Sequence, residues 1–246
     1  MKIIVFLPAH NEEVSLPLVL KRIPDMIDGI PVETLVIDDG STDATSTIAR
    51  QHGAHVYRFE QNQGLGAAVR EGLRQSYELD ADVAVMIDAD NEYPADQIPD
   101  IVRPILHNQA DYVFGSRFLG TVDGMRLYRY IGNHVFTWLQ CLLLKRKIHD
   151  GQSGMRAFSR AACHHAEIIH DYNYAQVITL NLVRKGFRVQ EVPITYKVRK
   201  TGESFISFRK YMTRVFPAIW REMTRPVEKV SIDYTAHVLI EDKRCS

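Results

Sequence analysis

Residues 82–93, DVAVMIDADNEY, constrain the fold of this chain more than any other stretch. Val83, Ala84, Val85, Met86 and Ile87 form an apolar run with no polar alternation, the pattern of a strand buried on both faces of a parallel sheet. Three acids follow at alternate positions, Asp88, Asp90 and Glu92. In open α/β sheets, ligands bind beyond the carboxyl ends of the strands. Carboxylates gathered there repel one another, and a hard divalent cation relieves that repulsion, as Mg²⁺ does when it joins carboxylates to substrate phosphates. One reading is therefore a metal-bridged diphosphate. The other is an Asp-rich turn capping the helix that starts near Pro94.

The rest of the first half repeats the arrangement. Strand 3–7 (IIVFL) leads to Pro8, His10, Asn11 and Glu12, then to a helix ending near Ile23. Strand 31–37 leads to Asp38, Asp39 and Gly40, with a helix to about His52 capped by Ser41 or Thr42 and stopped by Gly53. Strand 54–59 leads to Asn62, Gln63 and Gly64, opening a helix to Tyr77; helix 95–107 and strand 111–114 follow, the latter ending in Gly115, Ser116 and Arg117. Strands alternating with helices predict βαβ crossovers and a doubly wound, mostly parallel, Rossmann-like α/β sheet. Each polar cluster falls just after a strand, so together they predict a single site along one sheet edge. Asp38 and Asp39, acceptor-only when ionised, suit a nucleobase edge and a ribose diol. Gly64 and Gly66 either open backbone N–H groups toward a phosphate or allow close helix–strand packing. Neither a GxGxxG fingerprint nor a P-loop lysine is present.

Composition narrows the function classes. The 246 residues carry zero formal net charge, which gives no global field toward nucleic acid. Cys141, Cys163 and Cys245 are odd in number and form no CxxC pair, so neither a disulfide framework nor a zinc site is predicted, in keeping with a reducing cytosol. The apolar start is too short for a signal peptide, and no run approaches the length of a membrane span.

The second half is different in character. Residues 127–147 form a helical stretch with Val135, Phe136, Trp138, Leu139 and Leu142–Leu144, closed by Lys145, Arg146 and Lys147. This is either a segment lying on a membrane or a core helix with solvated lysines. Residues 150–156 read as a polar, glycine-punctuated loop. A helix near 174–185 follows, then an alternating strand 188–196 that fits a sheet edge. Between Lys197 and Lys229, nine basic residues against three acids give a local charge of +6, interleaved with aromatic and aliphatic side chains. Such a stretch suits anionic lipid or forms a docked helix with a solvated basic face.

Taken together, PAHNEE, VIDDGSTDAT, NQGLGAAVREG, DADNEY, FGSR, DGQSGMRAF and EVPITYKVRKTGES resemble the family 2 glycosyltransferases of the GT-A fold. The nearest branch is the dolichyl-phosphate mannose synthases and other polyprenyl-phosphate sugar transferases. The resemblance spans about residues 1–210. It implies a GT-A sheet with a small antiparallel extension, and a catalytic domain over 1–204 with a nucleotide-sugar half (1–117) and an acceptor half (118–204). A C-terminal amphipathic extension would cover 205–246.

The resemblance also assigns roles. Pro8, Asn11, Glu12, Asp39, Gly64 and Asp88 would bind the nucleotide sugar, linked to UDP or GDP. Asp88 and Asp90 match the DxD metal site for Mg²⁺ or Mn²⁺. Glu92 stands where many relatives have Gln and would be a third ligand. Arg117, Arg129 and Asn133 would hold the lipid phosphate, although relatives often have serine at the last position. Gln152 and Ser153 would line the acceptor side. Arg199 and Ser204 would belong to a basic loop closing over the diphosphate, so that Asp90, Arg117 and Arg199 carry the chemistry.

Many hydroxyl-directed relatives place an acid in the helix after the acceptor loop, where this chain has Gln176. A hydroxyl acceptor needs a base. A phosphate monoester, with a second pKa of about 6, does not. The expectation is thus an inverting, metal-dependent transfer to a polyprenyl phosphate by a protein held peripherally on the cytoplasmic face of a membrane. Three alternatives remain: transfer to a soluble saccharide or small-molecule hydroxyl, a sugar nucleotidyltransferase, and a non-catalytic nucleotide-sugar binder. A homo-oligomer stays open.

Overall fold

A computed structural model describes residues 1–170, 174–198 and 208–231, with the backbone alone for 208–215. Its strands are β1 (Ile3–Ala9), β2 (Met26–Ile27), β3 (Ile30–Asp38), β4 (His55–Arg58), β5 (Val83–Ile87), β6 (Tyr112–Asp123), β7 (Met155–Ser159) and β8 (Val189–Lys197). The helices are α1 (Leu16–Leu20), α2 (Thr45–Gln51), α3 (Leu65–Glu78), α4 (Ile98–Leu106), α5 (Leu127–Leu144), α6 (Arg160–His165), α7 (Ala175–Arg184) and α8 (Phe208–Thr224). One sheet runs β2-β3-β1-β5-β7-β6-β8, with β4 also paired to β3.

The sheet is covered on both faces because its strands β1 and β5 are apolar and buried at every position. Ile3, Val5 and Leu7 of β1 and Val83, Val85 and Ile87 of β5 pack with Leu16 and Val19 of α1 and Ile98, Ile101 and Val102 of α4. The intervening Ile4, Phe6, Ala84 and Met86 pack on the other face with Ala68, Val69 and Leu73 of α3 and Ile178 and Leu182 of α7. Since side chains alternate between faces, each face gains its own core. The α/β fold expected from the sequence is the one observed.

Three details differ from the sequence expectation. The antiparallel component is not peripheral: β7 lies in the middle of the sheet, antiparallel to both β5 and β6. Met155 and Arg156, read from sequence as loop, are its first residues. Strand β6 does not stop at Phe114 but continues to Asp123, because β8 pairs with it in parallel along most of that length. Gly115, Ser116 and Arg117 therefore lie within a strand, with a register shift between Ser116 and Thr121. As expected, β8 is an edge strand.

Helix α5 is inverted relative to a core helix. Its buried residues are Thr137 and Gln140. Five of its large apolar side chains face outward together: Tyr128, Ile131, Val135, Trp138 and Leu142 are exposed at three- and four-residue spacing, Trp138 by 66% and Leu142 by 60%. That spacing places them on one helix face. Helix α8 joins this region through Ile219, which packs on Leu180 of α7 with Phe136, Leu143 and Leu144 of α5 nearby. Its Glu222 is fully buried and accepts from Asn181 Nδ2 (3.1 Å) and Arg225 Nε (2.6 Å). No helix among the described residues is long and apolar enough to cross a membrane.

Candidate active site

The topology gathers the polar clusters at one edge. Strands β1, β3 and β5 are parallel, so residues 10–12, 38–39 and 88–92 follow their ends on the same side. Strand β7 runs the opposite way, with Met155 opposite Ile87, which brings the preceding 150–154 loop to that edge. Phe114 lies opposite Arg156, so Arg117, three residues on, reaches the same place.

On the nucleotide side, the sequence-predicted residues are knitted to one another. Pro8 is buried in β1, paired with Ile37. Asn11 has left-handed backbone (φ 56°), an uncommon state for a non-glycine residue that draws attention to the turn. Its N–H donates to Ser41 Oγ (3.0 Å), and its Oδ1 accepts the Thr42 N–H (2.8 Å). The Glu12 N–H donates to Thr45 Oγ1 (2.9 Å), and its carboxylate accepts the Ser15 hydroxyl. Asp38 is fully buried, accepting from the Ser41 N–H (2.8 Å) and the Ser46 hydroxyl. The Asp39 oxygens accept the N–H groups of Gln63 (2.6 Å) and Gly64 (2.9 Å). Gly64 sits at φ 97°, which glycine alone adopts readily, and its N–H is directed to Asp39.

The acids after β5 form a different environment. The Glu92 N–H donates to Asp90 Oδ1 (3.1 Å) across a turn in which Asn91 has φ 60°. Asp88 packs against Gly154 so closely that a Cβ there would lie 1.8 Å from Asp88 Oδ2. Gly154 is fixed in turn by its N–H bond to the Tyr93 hydroxyl (2.9 Å). Burial pushes the Asp88 carboxyl well above the ordinary carboxylate range; the charges of Asp90 and Glu92 push it further, against the opposing pull of Arg156 and Arg117. Oxygen donors crowded in this way fit a hard divalent cation such as Mg²⁺ or Mn²⁺, and Asp88 and Asp90 are the residues that could hold one. Glu92, expected as a third ligand, is instead buried and accepts the Tyr196 hydroxyl of β8 (2.5 Å). Among the described residues, no three His, Cys, Asp or Glu side chains are grouped to hold a metal.

On the acceptor side, Arg117 is nearly fully buried and engaged by Asp150, a residue to which the sequence reading gave no role. Its Nε donates to Asp150 Oδ2 (2.6 Å), its Nη2 to Oδ1 (2.8 Å), and its backbone N–H to Oδ2 (3.0 Å). The Tyr196 ring lies 5.1 Å from the guanidinium. Arg156, likewise missed, is fully buried; it donates to Thr179 Oγ1 (2.9 Å), the Ser153 carbonyl (2.8 Å) and the Tyr112 hydroxyl. Ser153 is buried in the loop, and the Gln152 N–H donates to Asp150 Oδ1 (3.1 Å). Arg129 and Asn133 are half-buried on α5, the latter against Met125 Sδ (3.7 Å). Gln176 is fully buried at the start of α7. Arg199 and Ser204 lie outside the described residues. A usable signal for the missed residues was DGQSGMR itself, where an acid and an arginine flank two glycines beside a strand.

The chain is similar to known proteins in sequence and in fold. The glycosyl transferase family 2 model matches residues 4–166. A UDP-N-acetylglucosamine–dolichyl-phosphate N-acetylglucosaminyltransferase of Methanococcus voltae is 32% identical over 65% of this chain and 70% of its own. A dolichol-phosphate mannosyltransferase of Pyrococcus furiosus is 27% identical over 98% of this chain and 71% of its own. Among solved structures, glucosyl-3-phosphoglycerate synthase of Mycobacterium tuberculosis, in complex with Mn²⁺, UDP and phosphoglyceric acid, superposes with a TM-score of 0.72 at 22% identity, covering 94% of this chain and 81% of that one. The chain belongs to glycosyl transferase family 2 and is a glycosyltransferase.

Proposed function

We propose that this enzyme transfers a sugar, with inversion, from a nucleotide diphosphate sugar to a polyprenyl phosphate. The observation that carries the reading is the juxtaposition of a carboxylate-lined strand edge with an arginine-lined acceptor side, flanked by α5, whose polar face meets the acceptor loop and whose opposite face is apolar and exposed. The names of the Methanococcus and Pyrococcus relatives, both transferases to a dolichyl phosphate, support the same acceptor class.

The nucleotide is assigned to the turns at Asn11, Asp39 and Gly64, and its diphosphate to the region of Asp88 and Asp90. A divalent cation bound by those two acids would offset charge developing on the departing diphosphate. The acceptor phosphate oxygen attacks the anomeric carbon as the bond from that carbon to the diphosphate oxygen breaks. The monoester is already ionised near neutral pH, so no side chain has to remove a proton, in keeping with Gln176 rather than an acid at the start of α7. Arg117 and Arg129 orient the phosphate through directed N–H groups. Residues 1–204 are assigned as the catalytic unit, with 205–246 as a C-terminal amphipathic extension. Tyr128, Ile131, Val135, Trp138 and Leu142 of α5 face that surface, with Lys145, Arg146 and Lys147 beyond them suited to anionic headgroups.

The test supplies UDP- and GDP-sugars with Mn²⁺ or Mg²⁺ and, in parallel, a short-chain polyprenyl phosphate, phosphoglyceric acid and free sugars. Lipid-linked sugar together with released nucleoside diphosphate supports the reading. Transfer to phosphoglyceric acid, the ligand named in the Mycobacterium complex, or to a free sugar alone, replaces it with a soluble acceptor.

A further inference from the structure

We infer that Asp150 is a positioning residue that sets the direction in which Arg117 presents its guanidinium to the acceptor phosphate. This rests on the function proposed above and assigns to the acceptor loop a task beyond lining the site.

The geometry is specific. A guanidinium has five N–H donors in one plane, arranged as edges that each suit a two-oxygen partner. Asp150 takes the edge formed by Nε and Nη2, at 2.6 and 2.8 Å, and accepts the Arg117 backbone N–H as well. The end-on edge, Nη1 with the second Nη2 hydrogen, makes no hydrogen bond among the described residues. That edge is the one a phosphate would take. With one edge clamped and the Tyr196 and Phe118 rings 5.1 and 5.5 Å from the guanidinium carbon, Arg117 loses the rotameric freedom an arginine otherwise has.

Asp150 is itself held. Its backbone N–H donates to Glu191 Oε1 (2.9 Å), and the same carboxylate accepts the His149 N–H (2.9 Å) and lies 2.8 Å from His149 Nδ1. Asp150 Oδ1 also accepts the Gln152 N–H (3.1 Å), and Thr137 Oγ1 of α5 accepts the Gly151 N–H (3.2 Å). The clamp thus runs from edge strand β8 through the loop to Arg117. Because Asp150 and Arg117 are both buried, their charges offset each other. Arg117 then contributes direction rather than net attraction, which leaves charge-based capture to other basic residues.

The experiment compares the full-length wild type with Asp150→Asn, Arg117→Met, the double variant and Glu191→Gln. Acceptor kinetics are read with a short-chain polyprenyl phosphate, Mn²⁺–UDP affinity by titration, and the Arg117 Nε–H by ¹H–¹⁵N NMR. For Asp150→Asn the acceptor kcat/KM falls roughly tenfold or more, as small displacements of a positioning group do. Mn²⁺–UDP affinity stays within about twofold, and the Arg117 Nε–H signal moves or broadens. Asp150→Asn adds no further loss on the Arg117→Met background. Glu191→Gln gives the same pattern with a smaller loss, which covers the case in which Asp150→Asn does not fold. An unchanged Nε–H signal in both Asp150→Asn and Glu191→Gln overturns the inference, as does an equal loss from Asp150→Asn with and without Arg117. If the wild type binds neither UDP nor GDP in the presence of Mn²⁺, the proposed function fails instead, and the NMR comparison still decides the clamp.

Discussion

Asp39 and Asp88 each stand one residue past the end of a strand, β3 and β5, the two that flank β1 in the same parallel set, yet their surroundings are opposite. Both Asp39 oxygens are occupied by backbone N–H groups from the Gln63–Gly64 turn. Asp88 instead faces two further acids, Asp90 and Glu92, in a half-buried position. A carboxylate that accepts backbone N–H groups holds the chain together. One forced among like charges is a cost to the fold until a cation or a positively charged ligand offsets it. The first position therefore shapes the site, and the second is where chemistry is placed.

The comparison can be broken at its strongest point by Asp90→Ala. This change should abolish metal-dependent transfer, a loss of at least about a thousandfold in kcat, while the unfolding midpoint stays near that of the wild type. Near-normal turnover would remove Asp90 from the mechanism. Next comes Gly154→Ala. The added methyl would lie where Asp88 Oδ2 now sits, so Asp88 must move and Mn²⁺ affinity should drop on the order of tenfold; titration calorimetry reads it directly.

Asp39→Ala sharpens the other arm. It leaves the Gln63 and Gly64 N–H groups without their acceptor, which should cost roughly 1–3 kcal/mol of stability, measured by urea unfolding with Asp88→Asn as the contrast. Asp88→Asn should leave the metal-free protein as stable or more so.

The smallest effect is in pH. Because the Asp88 pKa is raised in the folded state, the native protein binds a proton that the unfolded chain, with a carboxyl pKa of about 3.9, has already released. Asp88 therefore makes metal-free stability fall as pH rises from about 4 through its raised titration range. Thermal unfolding across pH should show this slope flattened by Asp88→Asn and by saturating Mn²⁺.

Much of this was legible in the sequence. The runs at 3–7 and 83–87 are strands because nothing in them tolerates solvent on either face, and the acids after them had to lie at one edge once the strands were parallel. Other features were hidden by long-range pairing. Strand β7 carries Arg156 as its second residue, and a lone charge in a five-residue strand reads as solvent-facing; it is buried because Tyr112, Thr179 and two loop carbonyls from Gly151 and Ser153 surround it. Strand β6 outruns its sequence signal because β8, 77 residues away at the Tyr112–Val189 pair, templates it. Helix α5 shows the amphipathic period but not which side faces inward: Thr137 and Gln140 turn toward the acceptor loop while the apolar stripe turns out. The Arg117–Asp150 pair joins positions 33 apart, and no local pattern announces it.

The central claim is that the β5 acids form a seat for a divalent cation shared with a nucleotide diphosphate. Titration of Mn²⁺ into the wild type and into Asp88→Asn, each with and without UDP or GDP, tests it most directly. The account predicts that one of the two nucleotides tightens Mn²⁺ binding at a single site in the wild type, and that this coupling disappears in Asp88→Asn. Equal coupling in both proteins, or Mn²⁺ binding indifferent to either nucleotide, would contradict it.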